Sequence, residues 1–347
     1  MHDLAQTISA TWSPFVLVAG LLLIGHVASR EGLFRLVGVW CARVPGKGLS
    51  LLLVTMVAVA LVTAVLNLDT SVVFMTPVAL HAARAKGTDE KAFLYGTIFM
   101  SNSASLLLLG SNLTNLLVFA RRPTLGSTFA RHMVLPWTVA VVVTIAVVVA
   151  WRWRPLRQEA KAPERSTTSF IFGPGVVAVG FAVLAMLLLK SPAIWIFLMG
   201  LVSELYEIAV KKRSALRDAL SVTNPWTLLL LFGVAVSVGW FARFSTLTSS
   251  LLRHASVTAT IATSAIASLV INNLPAASLF AAHRVAHPYA LLLGLDLGPN
   301  IMVTGALSSL LWIRIAHRND VRPSMLTFSV VGTVVAVVAI ACAAPLL

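Results

Sequence analysis

The stretch "SLVINNLPAASLF", Ser268 to Phe280, lies in one of the most apolar regions of the chain, yet it carries two adjacent carboxamides and a proline. A plain membrane helix would hold leucines there, because polar groups left unmet in hydrocarbon are costly. As the tip of a re-entrant hairpin, the same residues face protein instead of lipid. Whether that reading applies depends on where the chain resides.

Composition answers this. Of 347 residues, 58% are hydrophobic and 11% charged, with a mean hydropathy of +0.91. Soluble domains carry about 25% charged residues. Several apolar runs of about 17–20 residues are long enough to cross a hydrocarbon layer of about 30 Å. The expected class is an all-α polytopic protein of the cell membrane, with the lipid bilayer as its first partner. The net charge of +14 falls in short loops between apolar runs, which fits a positive-inside bias rather than nucleic-acid binding. Cys41 and Cys342 lie far apart and suggest neither a metal site nor a disulfide framework. Phe15 to Ile24 resembles the apolar core of a signal peptide, but Asp3 precedes it and Arg30, Arg35, Arg43 and Lys47 follow it. That order predicts a retained first span with its N-terminus outside.

Apolar runs are read at 13–28, 49–66, 70–83, 92–120, 133–151, 170–189, 192–209, 226–242, 255–271, 274–286, 288–316 and 324–345. If the basic stretches 30–47 and 84–91 both lie inside, the arms 49–66 and 70–83 form a hairpin with "LNLDTS" at its tip. Span 92–120 then goes out, and 133–151 returns to deliver "RWRPLRQEAK" to the cytoplasm. A second hairpin, 255–286, enters from outside with "INNLPA" at its tip, and the C-terminus ends outside. The basic loop 121–132, with Arg121, Arg122 and Arg131, is the one exception and falls outside.

This topology predicts two inverted repeats, residues 1–151 and 226–347. Each has a hairpin (49–83, 255–286) and a broken helix (92–120, 288–316), and they are joined by a cytoplasmic linker (152–169) and a connecting helix pair (170–225). Local matches support it: "TAVLNLDTS" lies over "SLVINNLPA", and "LGSN" at 109–112 over "LGPN" at 297–300. Paired broken helices of this kind mark secondary transporters working by alternating access.

The breaks are expected at Gly110 in the first span and at Gly298, Pro299 and Gly305 in the second. Unwound backbone there would offer amides and carbonyls to a small polar solute. The candidate substrate-binding residues are Asn67, Ser111, Asn112, Thr114, Asn115, Asn272, Asn273, Asn300 and Thr304. Asp69 and Asp296 are the candidates for proton or cation coupling, since acids at membrane depth are costly and functional by default. For Asp69 the structural alternative is a cap on the second hairpin arm. His26, His81, His283 and His287 are read as interfacial, Glu204 and Glu207 as locally paired beside "VKKR", and the tryptophans mostly as an aromatic belt. No phosphate-binding GxxxxGK[ST] motif, HExxH motif or Ser/His/Asp arrangement is present, so neither an enzyme, a cofactor nor a metal is expected.

"LDTSVVFMTPVAL", "GSNLTNLLV", "INNLPA" and "DLGPNIMVTGALSSLLW" together resemble the arsenite-efflux permease family of the ion transporter superfamily, related to divalent anion/sodium symporters. The resemblance runs from about residue 13 to the end. It implies proton-driven export of arsenite or antimonite, dimerisation through a scaffold domain and, in some members, a soluble ATPase partner. It maps the hairpin acid to Asp69, the SNLTN element to Ser111 through Asn115, the second tip to Asn272 and Asn273, and DLGP to Asp296 through Pro299. This chain has Asn300 where such permeases carry lysine. The competing readings are a sodium-coupled anion transporter or sodium/proton antiporter, and a non-transporting scaffold or receptor.

Overall fold

The computed structural model describes residues 2–122, 124–158, 172–212, 216–244 and 254–347. These residues are mostly helical, and six of the helices are long and apolar enough to cross a membrane. The predicted linker is described only as far as residue 158, and residues 213–215 of the basic stretch "KKRSALR" lie outside the described residues.

Helix α1 (His2–Arg30) packs along α10 (Ala193–Tyr206), and glycines set their approach. A Cβ on Gly20 would stand 2.7 Å from the Phe197 backbone, and one on Gly200 would stand 2.7 Å from the Gly20 carbonyl. Such small-residue crossings let helices pack without a hydrophobic driving force between them. Residues 30–47, expected as a loop, contain a further helix, α2 (Leu33–Arg43). Its Phe34 stacks on Phe74 at 4.6 Å, so spaced basic residues on an amphipathic helix had the sequence signature of a charged loop.

The first hairpin is α3 (Gly48–Leu66) and α4 (Leu68–Ala85), which meet at the single residue Asn67. Next come α5 (Glu90–Ala104), α6 (Leu113–Phe119), α7 (Gly126–Trp151) and the short α8 (Trp153–Leu156). α9 (Pro174–Leu188) precedes α10, whose end runs into a π-helical turn at Glu207–Lys211. α11 (Leu216–Thr223) is a short amphipathic helix within the predicted connecting segment, followed by α12 (Pro225–Ala242).

The second hairpin is α13 (Val257–Ile271) and α14 (Asn273–Ala281), meeting at Asn272. Then follow α15 (Pro288–Leu297), α16 (Leu307–Arg318) and α17 (Met325–Ala343).

Burial ranks these helices. Residues 92–104 of α5 and 290–297 of α15 are buried on every side, as expected for helices that are apolar all round. α12 instead exposes Trp226, Leu230 and Phe241, the character of a lipid-facing surface. The tryptophans divide similarly. Trp226 is exposed, whereas Trp312 is fully buried and donates to the Leu94 carbonyl at 3.0 Å, tying α16 to α5. Trp312 is therefore an internal strut rather than part of a belt.

Glu204 does not pair within "VKKR" alone. Its Oε2 lies 2.9 Å from Nδ1 of His26 on α1, and both side chains are buried. The partner is 178 residues away in sequence, which a local charge pattern does not reveal. Glu31, also buried, accepts from the Gly175 and Val176 amides at 3.1 and 3.0 Å and so caps α9.

Candidate functional site

Both hairpins turn on one asparagine held with positive φ. Asn67 has φ 90° and ψ 167°, and Asn272 has φ 74° and ψ 151°. This backbone region is adopted almost solely by glycine, and each asparagine offsets the strain with its side chain. Asn67 Oδ1 accepts from the Thr70 amide at 2.8 Å, and Asn272 Oδ1 accepts from the Leu274 amide at 3.3 Å. Both therefore cap the second arm of their own hairpin. The cap that the sequence offered to Asp69 belongs to Asn67. Asn272 also donates to the Thr304 carbonyl at 2.9 Å, fastening the second tip to the second broken span.

The first span unwinds after Ala104 and passes through a 3₁₀ turn at Leu109–Ser111 before α6 begins. The second unwinds after Leu297, with 3₁₀ turns at Gly298–Asn300 and Val303–Gly305 before α16. Gly110, Gly298, Pro299 and Gly305 all lie in these turns. The loosened backbone is met by side chains, as burial requires. Asn115 Nδ2 donates to the Ser105 and Leu108 carbonyls at 2.8 and 3.1 Å, and Ser111 Oγ donates to Ala64 O at 2.9 Å. Trp137 Nε1 reaches the Ala104 carbonyl at 3.1 Å.

Asp296 stands at the end of α15, with its side chain buried. It accepts from Thr114 Oγ1 at 2.6 Å, Asn112 Nδ2 at 3.0 Å and Ser105 Oγ at 3.4 Å. Three donors from the first broken span thus converge on one carboxyl of the second. Asn300 is also buried and accepts from Asn102 Nδ2 at 2.8 Å.

Four helices begin around one small cavity of about 40 Å³. Its wall comprises Leu68 and Asp69 of α4; Asn112, Leu113 and Thr114 at the start of α6; Asn273 and Leu274 of α14; and Ala306, Leu307 and Ser308 at the start of α16, with Leu231 of α12 beside them. Among the described residues, no lysine or arginine lines it. Helix N-termini, whose first amides lack helical partners, bring partial positive charge to the wall beside the Asp69 carboxyl. Asp69 makes no hydrogen bond or ion pair among the described residues. The Ser308 hydroxyl is buried there without a partner among the described residues. The space holds a few water molecules or a small solute.

Of the residues singled out from sequence, Asp69, Asn112, Thr114 and Asn273 line this cavity. Asn67 and Asn272 form the hairpin turns, Ser111 and Asn115 brace the first break, and Asp296 and Asn300 hold the two spans together. Thr304 turns its side chain to the exposed surface and contributes its carbonyl. Sequence reasoning misses Ser308, Ser105 and Asn102. A signal for them is present, since "MSNSAS" and "ALSSLL" flank the breaks with small polar residues.

Two hairpins and two unwound spans around one small cavity of mixed polar and apolar lining are the build of a multi-pass membrane transporter. A family model described as "Citrate transporter" (CitMHS) matches residues 4–305, and the chain belongs to that family. The arsenical pump membrane protein of Escherichia coli is 25% identical over 355 residues, covering 92% of this chain and 82% of that one. An uncharacterized transporter of Mycobacterium tuberculosis is 25% identical over 380 residues, covering 99% and 87%. These relatives agree with the resemblance to arsenite-efflux permeases of the ion transporter superfamily. A crystal structure of the Alcanivorax borkumensis YdaH transporter shares the fold, with a TM-score of 0.61 at 14% identity, over 99% of this chain and 86% of that one.

Proposed function

We propose that the chain is a secondary active transporter that exports arsenite or antimonite in exchange for protons, by alternating access. The observation that carries this reading is the cavity wall: four helix starts, hydroxyls and carboxamides, one unpartnered carboxyl and no fixed cation among the described residues. Arsenite at neutral pH is an uncharged trihydroxide, with donors and acceptors on every oxygen. Helix-start amides, Asn273 and Ser308 supply donors to its oxygens, and Asp69 accepts from one of its hydroxyls. A proton taken up by Asp69 removes that acceptor and weakens the hold on the solute. Release of the proton to the other side restores it, so binding and protonation exclude one another. Asp296, held by three donors from the first broken span, joins the two spans and is the second candidate for proton or cation coupling.

In this reading residues 1–151 and 226–347 are inverted repeats, both termini lie outside, and the two hairpins enter from opposite faces. Asp69 has no acidic counterpart at the second tip, where Leu274 takes the matching position, so coupling is carried by one hairpin.

The family's description favours a second reading, a sodium-coupled carrier of a carboxylate anion drawn to the helix starts. The absence of a lysine or arginine from the described cavity wall weighs against a multiply charged anion. Proteoliposome flux separates the two readings. Arsenite efflux should follow an imposed pH gradient without sodium, and citrate should not compete. Flux that needs sodium and is inhibited by citrate would establish the second reading. A scaffold or receptor would show no flux, and Asp69→Asn and Asn273→Ala would leave every phenotype intact.

A further inference from the structure

A second polar cleft, of about 560 Å³, lies away from the transport cavity. It is lined by Val118, Arg121 and Arg122 at the end of α6 and by Ala281 through Val285 at the end of α14. Arg121 Nη1 donates to the Ala282 carbonyl at 3.2 Å, and Arg122 Nη2 donates to the Val285 carbonyl at 2.6 Å. Each guanidinium has five donors, so these bonds orient the two forks and leave most of their N–H groups free. The two carbonyls flank Arg284, which is exposed and makes no hydrogen bond or ion pair among the described residues.

No carboxylate neutralises Arg121, Arg122 or Arg284 among the described residues. Burial, and then the charge of Arg243, draws Arg121 below its ordinary value; burial, and then Arg284, does the same to Arg122. Arginines oriented by backbone carbonyls and gathered in one recess, with no acid paired to them among the described residues, have the make-up of an anion receptor. Planar forks match the oxygens of a phosphate group in paired bonds, which a point charge does not reproduce.

We infer that this cleft binds a phosphate group, carried on a lipid headgroup or free in solution, between Arg122 and Arg284 with Arg121 at the rim. The bound group joins the end of the first broken span to the end of the second hairpin. It uses none of the residues assigned to transport, so it stands whether or not the proposed solute is correct.

The test is thermal unfolding of the purified full chain in neutral detergent with four additives. These are short-chain phosphatidylglycerol, short-chain phosphatidylcholine, inorganic phosphate, and sodium chloride at matched ionic strength. Phosphatidylglycerol or inorganic phosphate should raise Tm by about 2 °C or more, while phosphatidylcholine and chloride should not. A shift with the lipid alone identifies a headgroup site; a shift with the free ion as well identifies a soluble anion. Arg284→Gln, which breaks no hydrogen bond or ion pair among the described residues, should abolish the shift. A wild-type chain unmoved by both phosphate sources, or a shift retained in Arg284→Gln, would overturn the inference.

Discussion

Thr114 donates its hydroxyl to Asp296 at 2.6 Å, and this bond joins the first residues of α6 to the last turn of α15. The two residues are 182 positions apart and belong to different broken spans. The bond sits directly behind the cavity wall, where Thr114 and its neighbour Asn112 are exposed to solute on one side and bound to Asp296 on the other. Removing the hydroxyl with Thr114→Val leaves a buried carboxyl short of a donor and should cost about 1–3 kcal/mol. In Asp296→Asn the same threonine substitution should cost less. A double-mutant cycle on thermal or denaturant unfolding measures the difference, and equal costs in both backgrounds would deny the coupling.

Asp69→Asn should behave in the opposite way. Asp69 lines the cavity without a protein partner among the described residues, so its neutral isostere should change stability by less than about 0.5 kcal/mol. Proton-driven flux should fall at least about tenfold, the loss expected when a general proton carrier is removed. Flux in proteoliposomes, read beside the unfolding midpoint, separates function from folding. A variant that transports normally would remove Asp69 from the mechanism.

The hairpin asparagines make a paired prediction about backbone strain. At φ 90° for Asn67 and 74° for Asn272, alanine loses the cap and keeps the strain, whereas glycine loses the cap and relieves the strain. Asn67→Ala and Asn272→Ala should each destabilise by about 1–3 kcal/mol. The glycine variants should be milder by about 1 kcal/mol, measured by urea unfolding in detergent. Alanine and glycine variants of equal stability would contradict this.

Gly332 on α17 tests the packing behind the second break. A Cβ there would stand 1.8 Å from the Asn300 carbonyl oxygen, too close for any accommodation without backbone movement. Gly332→Ala should therefore displace the turn at Gly298–Asn300, destabilise by about 1–3 kcal/mol and slow solute flux. A Cβ on Gly233 of α12 would meet nothing within 4 Å beyond its own helix, and Gly233→Ala should do neither.

Much of this architecture is legible in the sequence. Apolar run length marks the spans, and the polar interruptions at "LNLDTS", "GSNLTN", "INNLPA" and "DLGPN" fall where helices stop and restart. These signals are local, so they survive in one dimension. Side-chain roles are less legible. Asn67 and Asn115 read alike as polar residues at membrane depth, yet one caps a hairpin arm and the other meets the open carbonyls of Ser105 and Leu108. Which of two such residues faces the cavity depends on packing between spans, and no spacing rule carries it. The same holds for the His26–Glu204 pair and for α2, where amphipathic spacing is masked by basic residues that resemble a loop. Asp296 illustrates the limit best. Its position marks it as a candidate coupling acid, and the three donors that reach it from residues 105–114 leave no trace in the spacing of the sequence.

Among the described residues the cavity wall carries no lysine or arginine, which separates solute preference from architecture. The helix-start amides around it belong to the main chain, and any sequence adopting these four starts would reproduce them. Two of the residues facing the space, Leu274 and Leu307, are plain aliphatics at the first turns of α14 and α16. A single exchange at either position would add a hydroxyl, an amine or a carboxyl without disturbing a cap or a hairpin turn. The fold therefore acts as a socket whose electrical preference is left to one or two interchangeable side chains, so that a change of cargo needs no change of frame.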